Sequence, residues 1–362
     1  MFKLIKEGIF SALSLRLQKA AGFFIEPRFI NFITTYRCNS ACNSCNIWDR
    51  YRQDKEKIRE EVTFSDIKNF FLHNKRYFSR LLSIGLTGGE FTLRSDALEI
   101  VNFFHEHFPF AKLGFQTNGL DPEGTKKLLS QILRIDADFN IAVSLDGPGE
   151  VHDRVRGIRG AFEKSIQTIR YAKELGIKRI TSGMTITNEN FHYILDVEEI
   201  CEELETEFSC FLAERGDYFN NETRIFPLND SQKKVVSNSL RHFQYDYYMD
   251  NLKLQLEGKR KICLPCYSGY TSLVIDPYGN IKPCILKDNS FGNIKTDLDF
   301  RELMLSQEAE RLKSGLRKCV CWCQCEVSAS AFVDPLDVIW WLVFYCQDKK
   351  GFLAKIKKRW SR

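Results

Sequence analysis

From residue 29 onward, short apolar strand-like runs alternate with longer stretches of helical periodicity, and no other feature limits the fold as strongly. The strand candidates are 29–34, 81–86, 112–117, 140–145, 179–185 and 208–213. Helical patterns fall between them near 65–79, 95–107, 123–133, 160–175 and 191–205. Strands separated by helices pair in parallel through crossovers, so the chain reads as α/β with a sheet covered by helices. Ser65 and Ser95 stand where helix N-caps are expected, and Gly176 stands where a helix ending at Leu175 would close.

The chain has 362 residues, enough for two domains or one large domain with an appendage. A net charge of +5 is small for this length and does not suggest a nucleic-acid partner. No apolar run approaches the ~18 residues that would mark a membrane-spanning helix. The thirteen cysteines are less ordinary. Ten fall into two groups, Cys38, Cys42 and Cys45, then Cys263, Cys266, Cys284, Cys319, Cys321, Cys323 and Cys325. Grouped cysteines in a long chain favour metal ligation in a reducing, cytoplasmic compartment over a disulfide framework. Cys201 and Cys210 stand alone in apolar surroundings and read as inert core residues.

The first group is C-x3-C-x2-C, just after the first strand candidate. Three thiolates can hold three irons of a [4Fe–4S] cluster and leave the fourth open to a small molecule, where an electron carrier would supply four cysteines. A zinc knuckle or three structural thiols would also suit the spacing taken alone. Thr87-Gly88-Gly89-Glu90 ends the second strand candidate, Gln116-Thr117-Asn118-Gly119 the third and Ser144-Leu145-Asp146-Gly147 the fourth. Reactive groups of α/β barrels sit at such strand ends.

Together these motifs resemble the radical SAM superfamily. The resemblance implies a partial (β/α)6 barrel, open on one side, over residues 29–225. It implies that Cys38, Cys42 and Cys45 bind a [4Fe–4S] cluster whose open iron chelates S-adenosylmethionine. Reductive cleavage would then release a 5′-deoxyadenosyl radical, which takes a hydrogen atom from the substrate. Gly88, Gly89 and Glu90 would meet the ammonium of S-adenosylmethionine, with Asn118 and Ser144 near its ribose or methionine part. Arg156 would pair with its carboxylate, and Asp146 could contact substrate. Trp48 reads equally as a cluster-packing or a core aromatic, and His152 and Arg154 as loop residues.

The second group resembles the SPASM or twitch module of the same superfamily. Cys266 is followed by twelve residues, Gly279, four residues and Cys284. Residues 274–281 read as a hairpin with a Gly-Asn turn that would bring Cys266 and Cys284 together. Cys321-Trp322-x-x-Cys325 resembles the ending of relatives with one auxiliary cluster, which implies ligation by Cys266, Cys284, Cys321 and Cys325. The compressed run Cys319-x-Cys321-x-Cys323-x-Cys325 departs from the full module. A second auxiliary cluster recruiting Cys263, Cys319, Cys323 and Cys346, or a zinc ribbon, stays open.

Residues 1–28 read as an amphipathic helix with Phe2, Ile5, Ile9, Leu13 and Leu17 at helical spacing, 226–262 as a helical bridge, 263–330 as the auxiliary module, and 331–362 as an aromatic helix with a basic tail. The two ends could touch an anionic membrane. The auxiliary cluster would support a net oxidation or crosslink, with an electron donor such as flavodoxin or ferredoxin. Only 28 residues precede the first strand candidate, which favours a small-molecule, sugar or lipid-linked glycan substrate over a peptide. A peptide maturase is the alternative, and a noncatalytic iron–sulfur or zinc scaffold is the rival of another class.

Overall fold

A computed structural model describes residues 12–360 except 53, 222, 224–226, 261–263, 317, 318 and 320, with backbone only for 355–360. The expected Phe2, Ile5 and Ile9 stripe and Cys263 therefore lie outside the described residues. Six strands form in the expected places: β1 (Phe29–Ile33), β2 (Ser83–Thr87), β3 (Lys112–Thr117), β4 (Asn140–Ser144), β5 (Ile180–Ile186) and β6 (Glu207–Leu212). They pair in parallel in order of sequence, as crossover helices require.

Strand alternation divides the side chains between two sides. Ile30, Phe32, Ile84, Leu86, Leu113, Phe115, Ile141 and Val143 face the helices and join one core with Phe70, Phe71, Ile100 and Phe104. The opposite positions are small or polar. Asn31 pairs with Gly85, Gly85 with Gly114 and Gly114 with Asn140, and Ala142 and Gly183 lie further up. All of these line a cavity of about 500 Å³. A closed barrel fills that space with bulky branched residues; this one leaves it hollow.

Helix ends differ slightly from the sequence expectation. The first crossover helix is Phe64–His73, and Thr63 caps it in a reciprocal capping box with Asp66. Ser65 is inside the helix. The next helix, Ala97–His107, starts after Asp96, not at Ser95. Gly176 takes φ +82° after the helix Ala161–Glu174, as its capping role requires. The stretch expected as a loop around His152 is the helix Glu150–Arg156.

The cysteine-rich region is not a separate lobe. Its strand β7 (Ser272–Ile275) pairs in parallel with β1, and β8 (Asn280–Lys282) and β9 (Gly292–Asn293) continue the sheet. The hairpin forms, but its turn is Asp276–Gly279. The Asp276 carboxylate accepts the backbone N–H of Tyr278 and of Asn280 at 3.0 Å. Gly279 takes φ +91°, and Asn280 already belongs to β8. The bridge forms helices Asp230–Ser239 and Tyr247–Leu256. Helices Gln324–Val333 and Leu336–Phe344 follow the last cysteines. Among the described residues no single helix is long and apolar enough to cross a membrane.

Candidate active site

The loop after β1 carries Cys38, Cys42 and Cys45, and all three thiols line the cavity. Its shape is set by neighbours far away in sequence. The Glu61 carboxylate accepts hydrogen bonds from the Tyr36 backbone N–H at 2.7 Å, the Thr35 hydroxyl and the Tyr51 hydroxyl. Arg94 donates to the Thr34 and Val62 carbonyls and pairs with Asp96. The C-terminal end of helix Glu150–Arg156 closes the other side. Its Arg156 and Val155 carbonyls accept the Ala41 and Asn43 N–H groups at 3.0 and 2.9 Å. Gly157 follows at φ +66°, and a Cβ there would stand 2.3 Å from the Ala41 carbonyl oxygen. Only glycine lets helix and loop meet this closely.

Gly88 and Gly89 do the same work from β2. A Cβ on Gly88 would fall 2.4 Å from the Thr35 oxygen, and one on Gly89 would fall 2.2 Å from the Arg37 oxygen. The Gly89 and Glu90 N–H groups bond those two carbonyls, so the glycines dock β2 against the cysteine loop. The Gly88 carbonyl accepts the Tyr218 hydroxyl at 3.0 Å. Glu90 is buried behind the cavity wall. Its carboxylate accepts the Asn118 N–H at 2.8 Å and the Thr92 hydroxyl at 2.8 Å. Burial raises its pKa against these bonds.

Asn118 reaches from β3 to the cysteine loop, donating to Asn39 Oδ1 at 2.7 Å and lying 3.7 Å from Cys38 Sγ. Ser144 lines the cavity at the end of β4, and no described residue bonds its hydroxyl. Arg156 pairs with Asp146 at 2.7 Å and lies 3.7 Å from Cys42 Sγ. Burial opposes its charge, but Asp146 and Cys42 outweigh burial and hold its pKa above the ordinary value. Its Nε is buried with no partner. Asp146, expected to point toward the cavity, does line it, and its carboxylate also accepts the Thr185 N–H at 2.8 Å. His152 accepts the Asp146 N–H at 2.9 Å. Trp48 lines the cavity, its indole N–H donating to the Cys45 carbonyl at 3.1 Å.

These residues fit the groups expected of them. Burial pushes the Cys38 thiol up to about 11 and Cys45 up to about 12, so both are protonated unless a metal displaces the proton. Soft thiolates with a cation and an amide beside them suit iron–sulfur ligation. The orphaned Arg156 Nε is a donor that a bound carboxylate would satisfy.

Residues in and around the second cysteine group line the cavity too. Ile285, Leu286, Trp322, Cys323 and Cys325 line the same cavity. Trp322 stacks on Tyr248 with centroids 5.7 Å apart, and Gln324 donates to Ser209 on β6. Cys319 Sγ lies 3.5 Å from Cys321 Sγ. Burial pushes Cys284 up to about 12, with further contributions from Glu326, Cys266 and Cys319. Cys319 acts electrostatically on Cys266, Cys284 and Cys321, raising the pKa of each, whereas Cys325 interacts with Cys323 at the cavity wall. Cys346 is apart from both groups, with its thiol 3.6 Å from the Gln244 carbonyl. Cys201 and Cys210 are buried in the core, as expected.

Sequence reasoning missed Glu61, Arg94 and Tyr218, which act across long separations without a motif. It also missed Glu214, just past β6. Its carboxylate lines the cavity with no described partner, and its pKa is raised by burial and then by Cys319.

Residues 32–201 match the Radical SAM superfamily, and residues 266–326 match SPASM, an iron–sulfur cluster-binding domain. The chain belongs to the radical SAM superfamily. S-adenosylmethionine and [4Fe–4S] clusters are the cofactors that these two domains carry. The chain is similar to the antilisterial bacteriocin subtilosin biosynthesis protein AlbA of Bacillus subtilis, 26% identical over 76% of this chain and 59% of that protein. It therefore spans 59% of the length of that relative. It is also similar to the sporulation killing factor maturation protein SkfB of Bacillus subtilis, 25% identical over 81% of this chain and 68% of that one. Among solved structures, this chain is similar in fold to Streptococcus suis SuiB bound to precursor peptide SuiA. Its TM-score is 0.62 at 16% identity, covering 88% of this chain and 73% of SuiB.

Proposed function

We propose that this radical SAM enzyme modifies a peptide, carrying out a net oxidation or crosslink in the cavity between its two cysteine groups. The observation that carries the reading is the shared cavity: Cys38, Cys42 and Cys45 line it, and so do Cys323 and Cys325. The names of AlbA and SkfB, and SuiA bound to SuiB, move the substrate from the small-molecule expectation to the peptide alternative.

In this reading Cys38, Cys42 and Cys45 hold the first cluster. Gly88, Gly89, Asn118 and Ser144 border S-adenosylmethionine, and Glu90 positions Asn118. The Arg156 Nε meets the methionyl carboxylate. The bound cofactor pair supplies a 5′-deoxyadenosyl radical that takes a hydrogen atom from substrate. Cys266, Cys284 and Cys321 hold the auxiliary cluster with a fourth thiol, and the electrostatic effect of Cys319 on Cys266 and Cys284 favours it over the expected Cys325. Glu214 offers the substrate an unpaired carboxylate. Flavodoxin or ferredoxin supplies the electron.

The test is anaerobic reconstitution with S-adenosylmethionine and dithionite, then mass spectrometry of peptides encoded beside the gene. A peptide that loses hydrogen and stimulates 5′-deoxyadenosine formation supports the proposal. Equal 5′-deoxyadenosine from Cys42→Ala would overturn the radical reading, and oxidation of only non-peptide substrates would overturn the peptide reading.

A further inference from the structure

Helix Leu336–Phe344 is apolar along its length apart from Asp337. One side of it is fixed. Trp341 is fully buried, and its indole N–H donates to Asp250 at 2.7 Å. Asp337 pairs with Arg260 at 2.8 Å and accepts the Tyr247 hydroxyl at 2.6 Å. The other side therefore points outward as a built feature. Trp340, Val343 and Phe344, which share a helix face, are 54, 54 and 62% exposed, and the Trp340 and Phe344 rings lie 4.2 Å apart.

The patch has a neighbour at the other chain end. Arg16, on the helix at 12–20, pairs with Asp334 just before this segment. Leu13 and Leu17 flank Arg16 and are 49 and 71% exposed. The amphipathic stripe that sequence analysis found thus does not pack on the barrel in its described part. The next helix in the chain, Lys349–Trp360, has Lys349, Lys350, Lys355, Lys357, Lys358 and Arg359 in its sequence and no acidic residue.

We propose that this face binds the surface of an anionic lipid bilayer. Aromatic and aliphatic side chains followed in the chain by a run of lysines are the composition of an interfacial segment, which inserts its apolar face at the headgroup level while the cations meet anionic lipid. Nine residues are too few to span a bilayer, which takes about 20, and the preceding helix Gln324–Val333 is bent from it by 95°, so the proposed placement is in the interface. The charge complementarity selects an anionic membrane as the occupant. The inference is independent of the substrate proposed above.

Flotation of the full-length reconstituted protein tests it, with vesicles of phosphatidylglycerol and phosphatidylcholine against phosphatidylcholine alone. Binding is expected to the anionic vesicles only. It should fall severalfold between about 0.05 and about 0.5 M salt, as screening shortens the reach of the cations. The pair Trp340→Ser and Phe344→Ser should lose binding, whereas Phe110→Ser, at an exposed site before β3, should keep it. Quenching of parent tryptophan emission by brominated acyl chains reads the same contact without any variant. No flotation with anionic vesicles, an unchanged double variant, or no quenching would each overturn the proposal. So would a dimer, seen by light scattering, that the double variant abolishes in a protein that does not bind lipid.

Discussion

The two cysteine groups share one cavity but are built in opposite ways. The loop of Cys38, Cys42 and Cys45 is clamped by β2, by Arg94 and Glu61, and by the carbonyls of helix Glu150–Arg156. Cys319 to Cys325 occupy a short run leading into a helix, and their nearest partners are one another. The first arrangement positions three thiols on rigid elements, as a site that controls a radical needs. The second presents more thiols than one cluster requires, so its ligand set is decided by geometry and not by count.

The largest expected effect separates the two groups outright. Cys42→Ala should abolish 5′-deoxyadenosine formation, while Cys284→Ala should keep it and lose only the auxiliary irons, about four per chain. Iron analysis and Mössbauer spectroscopy check both, and loss of 5′-deoxyadenosine in Cys284→Ala would break the division of labour. The next effect lies inside the second group. Cys319→Ala should lose the auxiliary cluster signal, whereas Cys325→Ala should keep most of its iron and weaken peptide modification. The reverse pattern would restore the ligand set that the spacing alone suggested.

The same contrast explains what the sequence could disclose. Strand positions were legible because short apolar runs such as Phe29 to Ile33 recur between longer stretches of helical periodicity. The β1 loop was legible because Cys38, Cys42 and Cys45 keep a fixed spacing beside strand ends. Gly88 and Gly89 were found, but their task was hidden. They make room for Thr35 and Arg37, a contact that exists only after β1 and β2 pair. Glu61 and Tyr218 left no signal, because a carboxylate or phenol that bonds a loop many residues away follows no period. In the second group C-x-C alternation allowed several pairings, and the partners of Cys321 depend on where β7 and β8 place Cys266 and Cys284. The pairing of β7 with β1, which joins the two regions, was likewise invisible in a run as short as Ser272–Ile275.

A smaller effect tests whether the first loop depends on its clamp. Gly157→Ala forces φ +66° on alanine and brings its Cβ against the Ala41 carbonyl. A cost of about 1–3 kcal/mol is expected, read as a lower urea midpoint. Iron should be lost from the first cluster before the second. Gly160 also has a positive φ, at +75°, but no atom within 4 Å of its added Cβ, so Gly160→Ala should cost less and leave both clusters equal. Equal losses from the two variants would mean that the close approach of helix and loop is unimportant.

The smallest effect is a pH dependence confined to the same clamp. His152 is wholly buried, and burial followed by Arg156 lowers its pKa from 6.5 to about 3. Above pH 6.5 the ring is neutral in both folded and unfolded chains and costs nothing. As pH falls below 6.5, the unfolded chain takes up a proton that the folded one refuses. Stability is therefore lost between pH 6.5 and about 3. At pH 5 the loss is about 2 kcal/mol. His152→Gln removes that titration while its amide can still accept the Asp146 N–H, so its urea midpoint should fall less between pH 7 and 5 than that of the parent. If the two slopes coincide, the acid sensitivity belongs to other groups, and helix Glu150–Arg156 holds the cysteine loop without help from a neutral imidazole.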